Sequence, residues 1–209
     1  MTAARLDVRG AACQRGGRLL FSGLDFTLLP GQSALVSGPN GIGKSSLLRM
    51  MCGLLPVFAG TVAATGAMAL ADEKLALDMD RPLARALAFW AGLDGRAHAV
   101  AGALEAMNLA SLSDVPVRML STGQRKRAVL ARVIASDASI WLLDEPANGL
   151  DTASLTLLGL AVKHHLARGG IIVAASHQPL PLGETIALTL SRPRSGMDDG
   201  WNGNESNRP

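Results

Sequence analysis

The chain has 209 residues, of which 48% are hydrophobic, and its formal net charge is +3. This length and apolar content suffice for one well-buried domain and exclude disorder over most of the chain. With no tyrosine, 3% aromatic residues and a small charge, the chain offers neither a strong basic field nor a base-stacking surface, so we expect no nucleic-acid partner.

The N-terminal segment and the cysteines bear on cellular location. Arg5, Asp7 and Arg9 interrupt any apolar run near the start, so we expect no signal peptide. Cys13 and Cys52 have neither CxxC spacing nor a nearby histidine, which favours two buried thiols over a zinc site or a redox pair. Both observations predict a cytosolic protein.

The first strong motif lies at residues 38–46, "GPNGIGKSS", between a predicted buried strand (33–37) and a predicted helix (44–51). It matches GxxxxGK[ST] completely, the pattern of a phosphate-binding P-loop. Glycines let the backbone N–H groups turn toward a phosphate, Lys44 can reach the β and γ phosphates, and Ser45 can bind Mg²⁺. The predicted nucleotide-binding residues are Gly38, Pro39, Asn40, Gly41, Ile42, Gly43, Lys44, Ser45 and Ser46. The motif alone does not separate kinase, GTPase and ATPase.

The next segment, Met50 to Ala71, has no charged residue and is long enough to cross a bilayer. Glycines and a proline interrupt it, and weakly apolar alanine and threonine fill much of its second half. We therefore predict the end of a helix followed by two short strands in a buried core.

Two later apolar runs, 139–145 and 170–176, each end in polar residues, the pattern of parallel strands covered on both faces. The segment between them predicts an amphipathic helix closed by two glycines. This βαβ order indicates an α/β fold with a parallel sheet. The tail, 191–209, lacks periodicity and is predicted to be disordered.

Polar side chains follow these two strands. Asp144 would lie beside the phosphates, where its carboxylate can hold the water shell of Mg²⁺, and Glu145 could polarise an attacking water. His177 should reach the same sheet edge, near a γ-phosphate or Glu145. A kinase would gain nothing from a base directed at water, so the pair Asp144 and Glu145 favours hydrolysis.

A second candidate anion site begins at "LSTGQRKR", residues 120–127, where a helix would start after a serine and a glycine. The basic residues Arg125, Lys126, Arg127 and Arg132 are interpreted as a solvated face opposite an apolar one. Arg125 or Lys126 could lie near phosphates.

Together these motifs resemble those of the ATP-binding subunits of ABC transporters. Residues 38–46 resemble Walker A, 120–124 the ABC signature, 140–146 Walker B with its glutamate, 148–151 the D-loop, and His177 the switch histidine. The resemblance implies a P-loop NTPase core with a small antiparallel β subdomain and a helical signature subdomain at about 75–135, all within residues 1–190.

The resemblance also implies a dimer of two copies, in which the signature of one chain caps the γ-phosphate of ATP held by Walker A of the other. In this chain that signature role would fall to Ser121, Thr122, Gly123 and Gln124, with Asp151 in the D-loop. Glu145 and His177 would be catalytic, and Ser45 and Asp144 would bind Mg²⁺.

A finer similarity, carried by segments 20–28, 114–133 and 176–180, is to the ATP-binding subunits of haem exporters of cytochrome c maturation. It implies small integral membrane partners at the cytoplasmic face of the bacterial inner membrane, with hydrolysis driving release of a haem-loaded chaperone. Another small ABC exporter and a soluble ABC ATPase are the alternatives, although the coiled-coil insertion or second cassette usual in the latter does not fit in 209 residues. A P-loop kinase or GTPase would lack "LSTGQ".

The sequence departs from the family pattern at three places. No glutamine lies between Gln32 and Gln124, so Asp72, Glu73 or Lys74 would take the place of the usual Mg²⁺-contacting glutamine. The adenine-stacking aromatic would fall near Arg15, whose planar guanidinium can stack on a base. Thr122 replaces the usual signature glycine and is expected to serve as a helix cap.

Overall fold

The computed structural model describes residues 3–72 and 76–192. Single 3₁₀ turns lie at Ala97–Ala99, Ala110–Leu112 and Val117–Met119. In chain order the strands and α-helices are β1 (Arg5–Arg15), β2 (Arg18–Leu28), β3 (Ser33–Ser37), α1 (Lys44–Met51), β4 (Ala59–Thr65), β5 (Met68–Ala71), α2 (Leu83–Leu93), α3 (Val100–Ala106), α4 (Thr122–Ala135), β6 (Ile140–Asp144), α5 (Thr152–Ala167), β7 (Ile171–Ala175) and β8 (Thr185–Thr189).

The larger sheet is parallel, with strand order β5-β6-β7-β3-β8. Its strands β6 and β7 are buried at every position because the sheet is covered on both faces, which explains their continuous apolar sequences. The carboxyl ends of parallel strands share one edge, so residues 38, 72, 145 and 176 all leave the sheet on the same side.

The smaller sheet is antiparallel, with order β2-β1-β4. Its strand β4 follows β1 so closely that a Cβ at Gly60 would lie 2.3 Å from the carbonyl oxygen of Arg9, and Gly60 has φ +80. No other residue fits that approach without a backbone shift. The parallel sheet, the antiparallel sheet and the helical region together confirm the predicted fold class.

The core consists of two groups of buried side chains on opposite faces of the parallel sheet. Ile140 and Leu142 face α1 and the antiparallel sheet, whereas Trp141 and Leu143 face the helices. This alternation follows from the two-residue period of a strand. Helices α2, α3 and α4 lie between β5 and β6 in the chain, within the predicted helical subdomain, whose boundaries stay a prediction.

The uncharged stretch from Met50 to Ala71 contains the end of α1 followed by β4 and β5, which confirms its predicted helix end and two strands. The predicted burial is wrong for β4, which is exposed at every position except the half-buried Val62, because it lies at the edge of the antiparallel sheet. The two strands belong to different sheets. Of the helices in residues 3–72 and 76–192, none is both long and apolar enough to cross a membrane. Most of the predicted disordered tail, residues 193–209, lies outside the described residues.

The interpretation of the basic residues on α4 as a solvated face is wrong for three of the four. Arg125 donates to the carbonyl oxygen of Leu120 at 2.9 Å. The Nη1 of Arg127 donates to the carbonyl oxygens of Met107 and Asn108 at 2.8 and 2.9 Å. Arg132 donates to the carbonyl oxygen of Leu70 at 2.5 Å and lies over the ring of Trp90. These side chains donate to backbone carbonyls in the segments that follow α3 and in β5.

Candidate nucleotide site

The glycine-rich loop runs from the end of β3 to the start of α1, as the sequence predicts. A Cβ at Gly38, where φ is +140, would lie 2.8 Å from the carbonyl oxygen of Leu190. A Cβ at Gly43, the N-cap of α1 with φ +112, would lie 3.1 Å from the side chain of Leu20. Both positions therefore combine a left-handed backbone with close neighbours, and only glycine satisfies both requirements.

Lys44, the first residue of α1, is buried, with 8% of its surface exposed. Its ammonium group donates to the carbonyl oxygens of Gly38 at 3.0 Å and Pro39 at 3.4 Å. It also lies 2.7 Å from Nε2 of His177. The loop and the end of β7 are thus joined through one lysine.

Asp144 is the last residue of β6 and is buried, and Glu145 follows it. Glu145 has φ +48, a left-handed conformation that is uncommon outside glycine, asparagine and aspartate. Its N–H donates to the carbonyl oxygen of Ala175 at 2.8 Å, and its carbonyl oxygen accepts the N–H of Asn148 at 3.2 Å. These backbone bonds hold the residue in that conformation at the sheet edge.

His177 follows β7 by two residues, and its side chain is 45% exposed. Its backbone N–H donates to Oε2 of Glu145 at 3.4 Å, and its Nε2 lies 3.6 Å from Oε1 of the same carboxylate. Because a lysine ammonium group can only donate, Nε2 must accept the bond from Lys44, which places the ring proton on Nδ1. The structure therefore brings the predicted residues Lys44, Glu145 and His177 together.

The side chains at this edge also fit a magnesium ion. Ser45 supplies a hydroxyl oxygen and Asp144 a buried carboxylate, both hard oxygen ligands. Within the described residues no group of three or more His, Cys, Asp or Glu side chains could hold a metal by itself. Two protein oxygens suit Mg²⁺, which usually keeps several waters and takes its other ligands from phosphates.

The signature segment, residues 120–124, starts helix α4 through a capping box. The hydroxyl of Ser121 accepts the N–H of Gln124 at 3.2 Å, and the Gln124 side-chain oxygen accepts the N–H of Ser121 at 2.8 Å. The expectation that Thr122 caps the helix is therefore wrong. Thr122 is the first helical residue, and the cap is the hydroxyl of Ser121 one position earlier, which satisfies the N–H of Gln124.

The D-loop segment, residues 148–151, leads into α5 and lies against the signature segment. Asp151 is the N-cap of α5, and its carboxylate accepts the N–H of Ser154 at 2.7 Å. Hydrogen bonds from the side chain and from the backbone N–H of Ser154 lower the pKa of Asp151 from its ordinary value. A Cβ at Gly123 would lie 3.7 Å from the carbonyl oxygen of Gly149, so the two segments are in van der Waals reach.

The other two departures from the family pattern concern the missing glutamine and the residue that would stack on adenine. Asp72 directly follows β5, and its carboxylate lies 3.3 Å from the guanidinium of Arg49 on α1. Glu73 and Lys74 lie outside the described residues. Arg15 is exposed at the end of β1, opposite Arg18. The identity of the residue that replaces the glutamine, and of the base-stacking residue, stays a prediction.

Sequence reasoning missed two contacts, Lys44 with His177 and Arg49 with Asp72. The first pair is 133 positions apart and the second 23, and no motif spacing links either. The order of parallel strands was the signal that could have indicated them, since it places the ends of β3, β5 and β7 along one edge.

Comparison with known proteins matches residues 21–148 to the ABC transporter family. The cytochrome c biogenesis ATP-binding export protein CcmA of Zymomonas mobilis subsp. mobilis is 52% identical over 200 residues, covering 95% of this chain and 90% of that protein. The protein of the same name from Novosphingobium aromaticivorans is 53% identical over 181 residues, covering 86% and 92% of the two chains. A solved ABC transporter in an inward-facing conformation, provisionally assigned to the metal-chelate type, contains a chain with a TM-score of 0.78 and 25% identity, covering 90% of this chain and 80% of that one.

Proposed function

Since this chain belongs to the ABC transporter family, and within it to the cytochrome c biogenesis ATP-binding export proteins called CcmA, we propose that it powers a haem exporter of cytochrome c maturation. It is the ATP-hydrolysing subunit of that complex. Hydrolysis would drive delivery of haem, or release of a haem-loaded chaperone.

One observation carries the catalytic part of this proposal. The ammonium group of Lys44 and the carboxylate of Glu145 both lie within 4 Å of the same histidine nitrogen, Nε2 of His177, at 2.7 and 3.6 Å. A phosphate held by the loop at residues 38–46 would therefore have a cation, a carboxylate and an imidazole on one side. This set suits hydrolysis because a carboxylate beside the phosphate can take a proton from an attacking water.

In the mechanism we propose, the N–H groups of residues 38–46 hold the phosphates and Lys44 neutralises their charge. Ser45 and Asp144 would hold Mg²⁺, which supplies charge stabilisation at the phosphate oxygens when bound. Glu145 orients the attacking water and accepts its proton, and His177 supports the γ-phosphate. The fixed left-handed backbone of Glu145 keeps its carboxylate at this edge.

A second copy of this chain would complete the site. Ser121 and Thr122 at the start of α4 are exposed, and the end of the helix presents backbone N–H groups that favour an anion. We propose that Ser121, Thr122, Gly123 and Gln124 contact the γ-phosphate of ATP bound to the partner copy. Contact between Gly123 and Gly149 would link that signature segment to the chain that follows Glu145.

The membrane partners would dock on the helical region. Helix α2 exposes Phe89 and Leu93, and Met79 is exposed on the loop before this helix. A cavity of about 330 Å³ lies beside them, lined in part by Phe89, Trp90 and Arg81. Exposed apolar side chains around a concavity with charged residues at its border suit a protein partner. We place this contact at the cytoplasmic face of the bacterial inner membrane.

The test is purification of tagged Glu145→Gln protein from its native membranes in the presence of ATP, followed by identification of the proteins that accompany it. Recovery of small multi-spanning proteins together with a haem-binding chaperone supports the haem-exporter function. Recovery of other membrane proteins would favour another small ABC exporter. Recovery of ribosomes or DNA without a membrane protein would contradict the transport role and leave the ATPase chemistry in place.

A further inference from the structure

The ammonium group of Lys44 already has a partner for each of its N–H donors among the residues that the structure describes. A lysine ammonium group has three N–H bonds, and among residues 3–72 and 76–192 the ammonium of Lys44 has three acceptors: the carbonyl oxygens of Gly38 and Pro39 and Nε2 of His177. The bond to His177 is the shortest, at 2.7 Å. Since Lys44 is buried, a phosphate that approaches it must replace one of these acceptors.

The three acceptors differ in how easily they can leave. The two carbonyl oxygens belong to the loop backbone. This backbone is held in place because Gly38 packs against Leu190, whose N–H donates to the carbonyl oxygen of Ser37 at 2.9 Å. His177 is instead attached beyond the end of β7 through an ordinary side-chain rotor, and its ring is 45% exposed. A rotation about its side-chain bonds moves the imidazole without moving the backbone. His177 is therefore the acceptor that can leave Lys44 with the least change in the backbone.

We propose that His177 competes with the β-phosphate of the nucleotide for the ammonium group of Lys44. The proposal rests on the nucleotide-binding function proposed above. When a phosphate binds Lys44, Nε2 of His177 loses its bond to the lysine, and the ring can turn within the site that also holds Glu145, whose carboxylate lies 3.6 Å from Nε2 before the displacement. One side chain thus weakens nucleotide binding and, once displaced, joins the site at which hydrolysis occurs.

The competition predicts an effect opposite to that of a simple phosphate contact. If His177 only contacts the γ-phosphate, His177→Ala leaves ADP affinity unchanged, because ADP has no γ-phosphate. If His177 competes for Lys44, His177→Ala binds ADP more tightly. Loss of one hydrogen bond of ordinary net strength corresponds to a Kd for ADP that is about three- to tenfold lower.

The experiment is calorimetric titration of ADP with Mg²⁺ into the full-length chain and three variants. We expect tighter binding for His177→Ala and near wild-type binding for His177→Gln, whose side-chain oxygen can again accept a bond from Lys44. His164→Ala, at an exposed position on α5, is the matched control and should bind like the wild type. An unchanged or higher Kd for His177→Ala would overturn the competition.

Two further outcomes separate this inference from the proposed function. If the folded wild-type chain binds no ADP at all, both the nucleotide site and the competition are wrong. If ADP binds equally to wild type and His177→Ala, only the competition is wrong.

Nitrogen NMR of His177 in the wild type provides a readout that needs no variant. We expect the ring to carry its proton on Nδ1 without nucleotide and the Nε2 resonance to shift when ADP is added, and an Nε2 resonance that ADP leaves unchanged would contradict displacement.

Discussion

The carboxylate of Glu145 meets His177 at two atoms, since Oε2 accepts the backbone N–H at 3.4 Å and Oε1 lies 3.6 Å from Nε2. Only 13% of the Glu145 side chain is exposed. A carboxylate in this position has one oxygen oriented by the backbone and the other beside an imidazole. The pair therefore defines one wall of the proposed hydrolytic site.

Replacing Glu145 with glutamine should remove the proton acceptor while keeping the shape of the side chain. We expect ATP binding to persist and hydrolysis to fall by about 100-fold or more, because general-base catalysis contributes rate factors of this size. Phosphate release measures the rate, and size-exclusion chromatography with ATP measures dimer formation. Glu105→Gln, at an exposed position on α3, is the control. Hydrolysis at the wild-type rate would rule out Glu145 as the base.

Two substitutions at Ser121 should separate its capping role from its proposed phosphate contact. Ser121→Ala removes the acceptor for the N–H of Gln124 and should lower the free energy of unfolding by about 1 kcal/mol. Ser121→Asp keeps a cap but introduces negative charge near the proposed phosphate, so stability should persist while ATP hydrolysis falls at least about tenfold. Urea unfolding and phosphate release measure the two effects. Wild-type hydrolysis by Ser121→Asp would contradict the contact in trans.

His165 on α5 should make stability depend on pH. Its ring stacks on Trp141 with centroids 3.9 Å apart, and burial lowers its pKa to about 4. The unfolded chain, with an ordinary pKa near 6.5, binds the proton more readily, so folded stability is lost as pH falls from about 6.5 toward 4. Between pH 7.5 and pH 5 this amounts to about 2 kcal/mol.

Urea unfolding of the wild type and of His165→Phe at those two pH values measures this contribution. Phenylalanine can stack on Trp141 but cannot be protonated, so the variant should lose less stability than the wild type when the pH is lowered. For each protein, the free energy of unfolding at pH 5 is subtracted from that at pH 7.5. Any change in stability that the substitution causes equally at both pH values cancels in this difference. Equal losses in the two proteins would show that His165 does not set this dependence.

Arg127 should stabilise the fold through its hydrogen bonds, whereas a basic side chain that only faces solvent should contribute little to stability. Its Nη1 donates to the carbonyl oxygens of Met107 and Asn108, so Arg127→Ala leaves both without this partner. We expect the free energy of unfolding to fall by about 2 kcal/mol. Lys126→Ala, one position earlier on α4, should change it by less than about 0.5 kcal/mol. Similar small effects of the two substitutions would contradict a structural role for Arg127.

Local sequence pattern was enough to predict the elements around the site. The strand, glycine loop and helix at 33–51 follow from short-range rules, because left-handed glycines and a helical run act on their own backbone. The same holds for β6 and β7, whose continuous apolar sequences require cover on both faces. Asp144, Glu145 and His177 could be placed at one edge because parallel strands all end on the same side.

Contacts between distant side chains could not be predicted in this way. The basic residues of α4 looked like a solvated face, yet three of them bond to carbonyls in the 107–120 loops and in β5. The cap of α4 was expected at Thr122 and lies at Ser121, because which residue takes the non-helical conformation depends on how the chain enters the helix.

The sequence by itself determined the phosphate-binding loop, the two carboxylates after β6 and the parallel α/β core, because each depends on residues that are neighbours in the chain or on the period of one element. Only the tertiary structure decided that Lys44 bonds to His177, that Asp72 meets Arg49, and that Arg132 reaches Leu70. Each of these contacts joins separate elements, and its geometry depends on the order and packing of strands across the whole sheet.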